Sequence, residues 1–163
     1  MSKHRLDAID IRILSAVQEH GQLSKARLAE LVNLSPTPCL ARLHRLKTAG
    51  LIRGYHADIA LDRLCDVTQV VVTVALTEHR KADLERFEAH IRGLDAVTDC
   101  IATGGGMDYV LRIVSPSLAA FQTTMEDLLA AEIGIQRYMT YIVTREVKSA
   151  RPNLSKLTAR TPR

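Results

Sequence analysis

Apolar residues in the first fifty positions recur at helical spacing in three separate runs. Ile9, Ile13, Ala16 and Val17 follow an i, i+4, i+7, i+8 pattern. This predicts a helix from an Asp7 cap to about His20, stopped by Gly21. Ser24 caps a second, shorter helix over residues 25–32, with Leu28, Leu31 and Val32 turned inward. Asn33-Leu34 is a tight connection, and asparagine tolerates the left-handed conformation such a turn needs. Ser35 caps a third helix, with Pro36 at the first helical position and Pro38 still in the first turn, where neither removes an interior hydrogen bond. Leu40, Leu43 and Leu46 mark its buried stripe, and Gly50 ends it. At 100° per residue, Thr37, Pro38, Ala41, His44 and Arg45 face the other way, with Arg42 and Lys47 on the flanks.

The pattern changes after residue 50. Residues 51–61 are mixed and partly alternating, as in an extended link. Beyond them the expected order is a valine-rich strand over 67–76, a helix over 80–92 with Leu84, Phe87 and Ile91 inward, and a strand over 96–102. A glycine turn at 104–106, a strand over 109–114, a helix carrying Leu118, Phe121, Met125, Leu128 and Leu129, and a long strand over 135–147 follow. This βαββαβ order is the split-βαβ, ferredoxin-like arrangement. The class is α+β, with a helix-turn-helix domain at 1–54, a hinge at 55–66, a second domain at 67–149 and a basic tail at 150–163. With both helices on one face of an antiparallel sheet, the other face needs cover. Val70, Val72, Val74 and Leu76 alternate along the first strand and belong either to that face or to the helix-backed core. A second copy is the simplest cover, so a homodimer is expected.

Two short helices joined by a tight turn, the second one basic, form a helix-turn-helix pattern. A basic helix alone would read equally well as an ordinary amphipathic helix with a solvated face; the preceding helix and turn decide between the two. Small residues on the exposed face allow close approach to a DNA groove, and arginine can bond a guanine edge. The charge distribution agrees: the net charge is +4 over residues 1–60, −3 over 67–149 and +4 over 150–163. Ser35 and Thr37 can donate to phosphates at the helix N-terminus, with Pro38 beside them. Arg42 and Arg45 are candidates for base edges or phosphates, Lys47 for steering, and Arg53 for a backbone contact from the link. Arg27 either meets a phosphate or is solvated. The expected partner is double-stranded DNA, bound at palindromic sites with strong salt dependence.

Other features narrow the class. No apolar run approaches the ~20 residues of a membrane span, and the first residues lack the apolar core of a signal peptide, so a cytoplasmic, nucleoid-associated protein is expected. The three cysteines are far apart; Cys39 reads as a buried small hydrophobe or, alternatively, a redox sensor. The six histidines are scattered singly, and no metal set, cofactor motif or nucleophile–base pair is visible, which argues against an enzyme. Gly104-Gly105-Gly106 is no phosphate loop, since no Gly-Lys-Ser/Thr follows. Its N–H groups could instead meet a carboxylate while Asp108 pairs with an ammonium, a combination suited to a zwitterionic amino acid. A purely structural tight turn accounts for the same residues. Tyr109 reads as core or as a cleft wall, and the tail as a disordered or solvated arm that adds non-specific DNA affinity.

The chain resembles the Lrp/AsnC, or feast/famine, family. The residues that carry the resemblance are Leu6-Asp7-x-x-Asp10-x-x-Ile13-Leu14, Leu28-Ala29, Leu34-Ser35-Pro36-Thr37-Pro38-Cys39 and Gly50-Leu51-Ile52-Arg53-Gly54-Tyr55-x-Ala57. In the second half they are Gly105-x-x-Asp108-Tyr109, Gly134-Ile135, Thr140 and Val147-Lys148. The resemblance implies a winged-type helix-turn-helix domain followed by a ferredoxin-like ligand domain (the RAM domain). It implies a transcriptional regulator that dimerises through the second domain, assembles up to octamers, and responds to an amino acid or similar metabolite. By the resemblance, Thr140 falls at a ligand-contact position of the family; with Gly104, Gly105, Gly106, Asp108 and Tyr109 it makes up the candidate effector set. Three places depart from the family pattern: Cys65 where glycine is common, Gly104 where serine or threonine is common, and Ala131-Glu132-Ile133-Gly134 in place of a Leu-Pro-Gly turn. Two rivals follow from the same outline. One is a sirohaem decarboxylase, which needs a cationic and histidine cluster that is not evident here; the other is an architectural DNA binder with no effector.

Overall fold

A computed structural model describes residues 6–159 of the chain. The expectations for residues 1–5 and 160–163, at the two ends, lie outside the described residues. The chain divides into two compact units, one made of residues up to Ile59 together with those from Lys148 onward, the other of Ala60–Val147.

In the first unit, α1 spans Ala8–His20, α2 Lys25–Val32 and α3 Pro36–Thr48. Asp7 caps α1 with a reciprocal box: its carboxylate accepts the Asp10 N–H at 2.8 Å, and the Asp10 carboxylate accepts the Asp7 N–H at 3.1 Å. Ser24 caps α2 by accepting from the Arg27 N–H at 3.2 Å, and Asn33 ends it at φ 54°, ψ 55°, the left-handed turn the sequence called for. Ile13, Val17, Leu28, Ala29, Val32, Cys39 and Leu46 form the core, with Leu43, Ile52 and Tyr55 packed at its edge. Leu31 was expected inside but is exposed. The α2 stripe runs through Leu28, Ala29 and Val32, and position 31 falls roughly 100° from its centre.

The tail departs from expectation. Rather than a disordered arm, it forms a short, largely solvated helix, α7, at Leu154–Thr158, with Asn153 capping it through the Lys156 N–H at 3.0 Å. This helix packs on α1. Leu6, Ala8, Ile11 and Arg12 on one side face Ser155, Thr158 and Ala159 on the other. Ile11, which lies off the α1 stripe read from the sequence, is buried and lines the cleft between α1 and α7.

The second unit opens with a single turn, α4 at Leu61–Leu64, which begins at the last residue of the stretch expected to be extended and lies within the 55–66 hinge. It continues with β1 Thr68–Leu76, α5 Lys81–Arg92, β2 Val97–Ala102, β3 Tyr109–Ser115, α6 Leu118–Ala130 and β4 Ile135–Ile142. The sheet is antiparallel with order β2-β3-β1-β4, so the βαββαβ reading stands. Val70, Val72 and Val74 lie opposite Ile113, Leu111 and Tyr109, and all six pack with Phe87, Ile91, Phe121, Met125 and Leu128 beneath the helices. This assigns the alternating valines to the helix-backed core. The other face carries Val71 and Thr73, paired with Arg112 and Val110 on one side and Tyr141 and Met139 on the other. β4 stops at Ile142 rather than residue 147, because β1 begins at Thr68 and leaves it no partner beyond the Val143 N–H to Gln69 carbonyl bond at 2.9 Å.

Truncation after Ser149 removes α7 and uncovers Ile11. It should destabilise the first unit by about 1–2 kcal/mol, a partial exposure of one large aliphatic side chain. Hydrogen–deuterium exchange over residues 8–20 should accelerate in the truncated protein; unchanged protection there would show that α7 adds nothing to the module.

Candidate functional site

The DNA-reading candidates gather on one exposed face of the first unit. Ser35, Thr37 and Pro38 are exposed at the N-terminus of α3, and the Ser35 side chain makes no capping bond, which leaves its hydroxyl available to an outside acceptor. Ala41, His44 and Arg45 continue that face, and Arg53 is exposed beyond the helix. Lys47 lies over the Tyr55 ring, 5.0 Å from its centroid, so its charge is held at the flank. Arg27 pairs with Glu30 at 3.1 Å, a surface contact that favours the solvated reading.

Arg42 and Arg45 are not equivalent. Nη1 of Arg42 donates to Asp7 Oδ2 at 2.6 Å and to Asp10 Oδ1 at 2.9 Å. Nη2 of Arg45 donates to both oxygens of Asp10 at 2.7 Å. The Asp10 side chain is 1% exposed, whereas that of Arg45 is 58% exposed and that of Arg42 29%. The backbone N–H of Asp10, followed by Arg42, holds the Asp7 carboxyl below the usual range, and the paired carboxylates push the Arg42 guanidinium up, that of Asp7 first. Of the two arginines, Arg45 keeps the more exposed guanidinium. Sequence reading placed Asp7 as a cap but gave no role to Asp10. The hints were its three-residue spacing from Asp7 and its place in the Leu6-Asp7-x-x-Asp10 motif, while its arginine partners lie 32 and 35 positions away.

The second candidate site is the turn between β2 and β3. Gly104, Gly105 and Gly106 are exposed, and Gly105 takes φ +134°, a conformation suited to glycine. Among the described residues, the N–H groups of these three glycines donate to no protein acceptor. The turn is closed beneath them by the Thr103 N–H to the Asp108 carbonyl at 2.8 Å and by the Thr103 hydroxyl to the Met107 carbonyl at 2.6 Å. Arg137 donates to the Gly106 carbonyl at 3.0 Å. Asp108 is fixed rather than free: its carboxylate accepts the Leu76 N–H at 2.7 Å and meets His79 Nε2 at 2.9 Å. The Leu76 bond, then His79, holds the Asp108 carboxyl below its ordinary range. His79 and Arg137 were not foreseen, because neither lies near the turn in sequence.

Two expected effector residues are not part of this constellation. Tyr109 is core: the residue is 3% exposed, its ring lies 4.6 Å from that of Phe87, and its hydroxyl donates to Glu88 at 3.1 Å. Burial, then Glu88, pushes the Tyr109 phenol up to about 12. Its position follows from the β3 alternation, which turns it toward the helices together with Leu111 and Ile113. Thr140 is exposed on β4 opposite Val72, several residues along the sheet from the turn anchored at Val74 and Leu76. Cys39 is fully buried, and burial pushes its thiol up, as fits the hydrophobe reading. Among the described residues, no three His, Cys, Asp or Glu side chains gather as a metal set, and no helix is long and apolar enough to cross a membrane.

Residues 6–53 match the winged helix-turn-helix DNA-binding family, and residues 69–153 match the Lrp/AsnC ligand binding domain. The chain is 40% identical over 151 residues to transcriptional regulatory protein DoeX of Halomonas elongata, covering 93% of this chain and 94% of that one. It is 36% identical over 143 residues to the leucine-responsive regulatory protein of Haemophilus influenzae, covering 88% and 86%. The crystal structure of a Neisseria meningitidis transcriptional regulator in complex with L-Met superposes with a TM-score of 0.82 at 34% identity, covering 89% of this chain and 94% of that one. A DNA-binding helix-turn-helix unit joined to a ligand-binding unit defines a transcriptional regulator rather than an enzyme. The chain belongs to the Lrp/AsnC family of transcriptional regulators.

The anchoring of Asp108 gives a pH signature. Its folded pKa lies below the unfolded value, so its contribution to stability is present above about pH 4 and is lost as pH falls through the folded pKa. The stability difference between wild type and Asp108→Asn should therefore shrink as pH falls below about 4. Urea unfolding across this range measures it, and a difference that persists undiminished under acid would contradict the assigned bonds.

Proposed function

We propose that this regulator binds palindromic double-stranded DNA as a homodimer through α3 and responds to a zwitterionic amino acid held at the glycine turn. The observation that carries the ligand half is the pairing of unsatisfied glycine N–H groups at 104–106 with the fixed carboxylate of Asp108. The N–H groups suit a carboxylate, and a carboxylate that keeps acceptor capacity beyond its two partners suits an ammonium. Tyr109 and Thr140 stay outside this minimal site. The Neisseria meningitidis relative is solved with L-Met, which makes methionine the first ligand to try.

For DNA, the proposal assigns Ser35 and Thr37 to phosphates at the helix N-terminus, Arg45 to a base edge, and Lys47 and Arg53 to the sugar–phosphate backbone. The exposed location of these groups on and beside α3 supports the assignment. For assembly, the sheet face away from the helices supports a dimer. Val71 and Val110 are partly covered there, and Ile101, Met139 and Tyr141 are at least half exposed, an apolar surface that a second copy would bury. Dimers in turn assemble up to octamers, and two copies of α3 read half-sites about one DNA turn apart.

Thermal unfolding of the full chain against the twenty amino acids at millimolar concentration tests the ligand half. A ligand present at 100 times its dissociation constant stabilises the folded state by about 2.7 kcal/mol, and this gain should vanish in Asp108→Ala. No shift with any amino acid would return the turn to a structural role and leave an architectural DNA binder. For the DNA half, the logarithm of the association constant should fall linearly with the logarithm of salt, by roughly 0.9 for each phosphate neutralised. A salt-independent affinity would reject the proposed phosphate contacts.

A further inference from the structure

We infer that Asp10, a residue of the first helix, determines DNA specificity by positioning Arg45, whereas Arg42 belongs to the clamp that holds Asp10 in place and reads no base. The inference rests on the reading of α3 as the DNA-contacting helix.

The geometry carries it. Asp10 is the one buried acidic side chain among the described residues, and every bond it makes ties it down. It accepts from the Asp7 N–H, from Arg42 and, through both oxygens, from Arg45. Arg42 spends Nη1 on bridging the two aspartates. Arg45 is held only through Nη2, and among the described residues its Nε and Nη1 have no acceptor. Pro38, Ala41 and Arg45 form one line along α3, spaced by three and four residues, so the two residues ahead of Arg45 are small and leave its guanidinium unobstructed. A long cation anchored at one nitrogen by a buried carboxylate loses its rotamer freedom before DNA arrives, which is the condition for directed rather than diffuse contact.

The charges point the same way. Two arginines face two aspartates, so the cluster as a whole adds no net attraction for phosphate. A helix selected only for phosphate affinity gains nothing from burying a carboxylate under its cations. A helix that must aim one donor pair at an acceptor on a base edge, such as guanine O6 or N7, gains direction from it.

The role makes opposite predictions for two kinds of DNA. Asp10→Asn removes one negative charge beside the DNA face and frees Arg45. The affinity of the full chain for random-sequence duplex should rise about twofold or more, while the ratio of specific to random affinity falls about tenfold, the scale of one base contact. The specific duplex is the one the wild-type protein enriches from a random pool, and fluorescence anisotropy gives both constants. Loss of preference should be confined to one symmetry-related base pair. Arg45→Ala should flatten the same pair, and Asp10→Asn should change the ratio no further in that background. Arg45→Lys, at an exposed position, keeps the charge and should flatten it too, which keeps the test decisive where Asp10→Asn fails to fold. A fall of both affinities alike in folded Asp10→Asn, a rise of both alike, or a preference that survives Arg45→Lys would each overturn the assignment. If the wild-type protein enriches no sequence at all, the failure lies instead with the reading of α3.

Discussion

A carboxylate cannot be buried bare; it needs cations or several donors within bonding distance. Asp10 meets that requirement by drawing on the start of its own helix and on α3 together, and the DNA-binding unit is arranged around the result. The capping box of α1 and the ion pairs to α3 share the same two carboxylates. The point where α1 begins and the rotation of α3 about its own axis are therefore one network. A turn of α3 by a single residue swings its side chains through about 100°, which would carry both guanidinium groups away and strand the buried charge. The leucine stripe sets which side of α3 faces the core, but apolar contacts tolerate small rotations. The ion pairs do not, and so they fix how the exposed face is presented.

In the second unit the corresponding constraint is the register of β1. Its period-two alternation turns Val70, Val72, Val74 and Leu76 toward the helices, and a slip of one residue would invert every side chain. The glycine turn hangs from the end of this strand. The Asp108 N–H donates to the Val74 carbonyl at 2.8 Å, and the Asp108 carboxylate accepts from Leu76. One end of the turn is thus pinned to the central strand, while Gly104 to Gly106 stay open to solvent. The turn therefore combines a carboxylate placed by the core with amide groups that remain uncommitted.

Elements governed by local rules were legible in the sequence. The caps at Asp7 and Ser24, the left-handed Asn33 and the strand–helix order all follow from nearest neighbours and periodicity. Helical position puts Arg45 on the outward face and Arg42 on its flank, but it could not show that both pair with Asp10, a partner more than thirty residues away. The sequence left Tyr109 open between core and cleft. The choice was settled by the register of β3 against β1, which puts Tyr109 opposite the buried Val74. His79 and Arg137 reach the turn from other segments for the same reason.

The tail shows the limit of composition as a guide. Two prolines and four cations in residues 150–163 describe a segment unable to build a core of its own, and that inference holds for a segment taken alone. A five-residue helix is also too short to persist on propensity. What changes the outcome is a surface elsewhere in the chain. α1 carries Ile11 off its main stripe, and an isolated three-helix unit of about fifty residues would leave that side chain in water. A brief contact from the tail suffices to cover it, with Asn153 fixing where the helix begins. The clue was present as an isoleucine with no place in the α1 stripe, a hydrophobic residue unexplained by its own helix and therefore in need of a partner from a distant part of the chain.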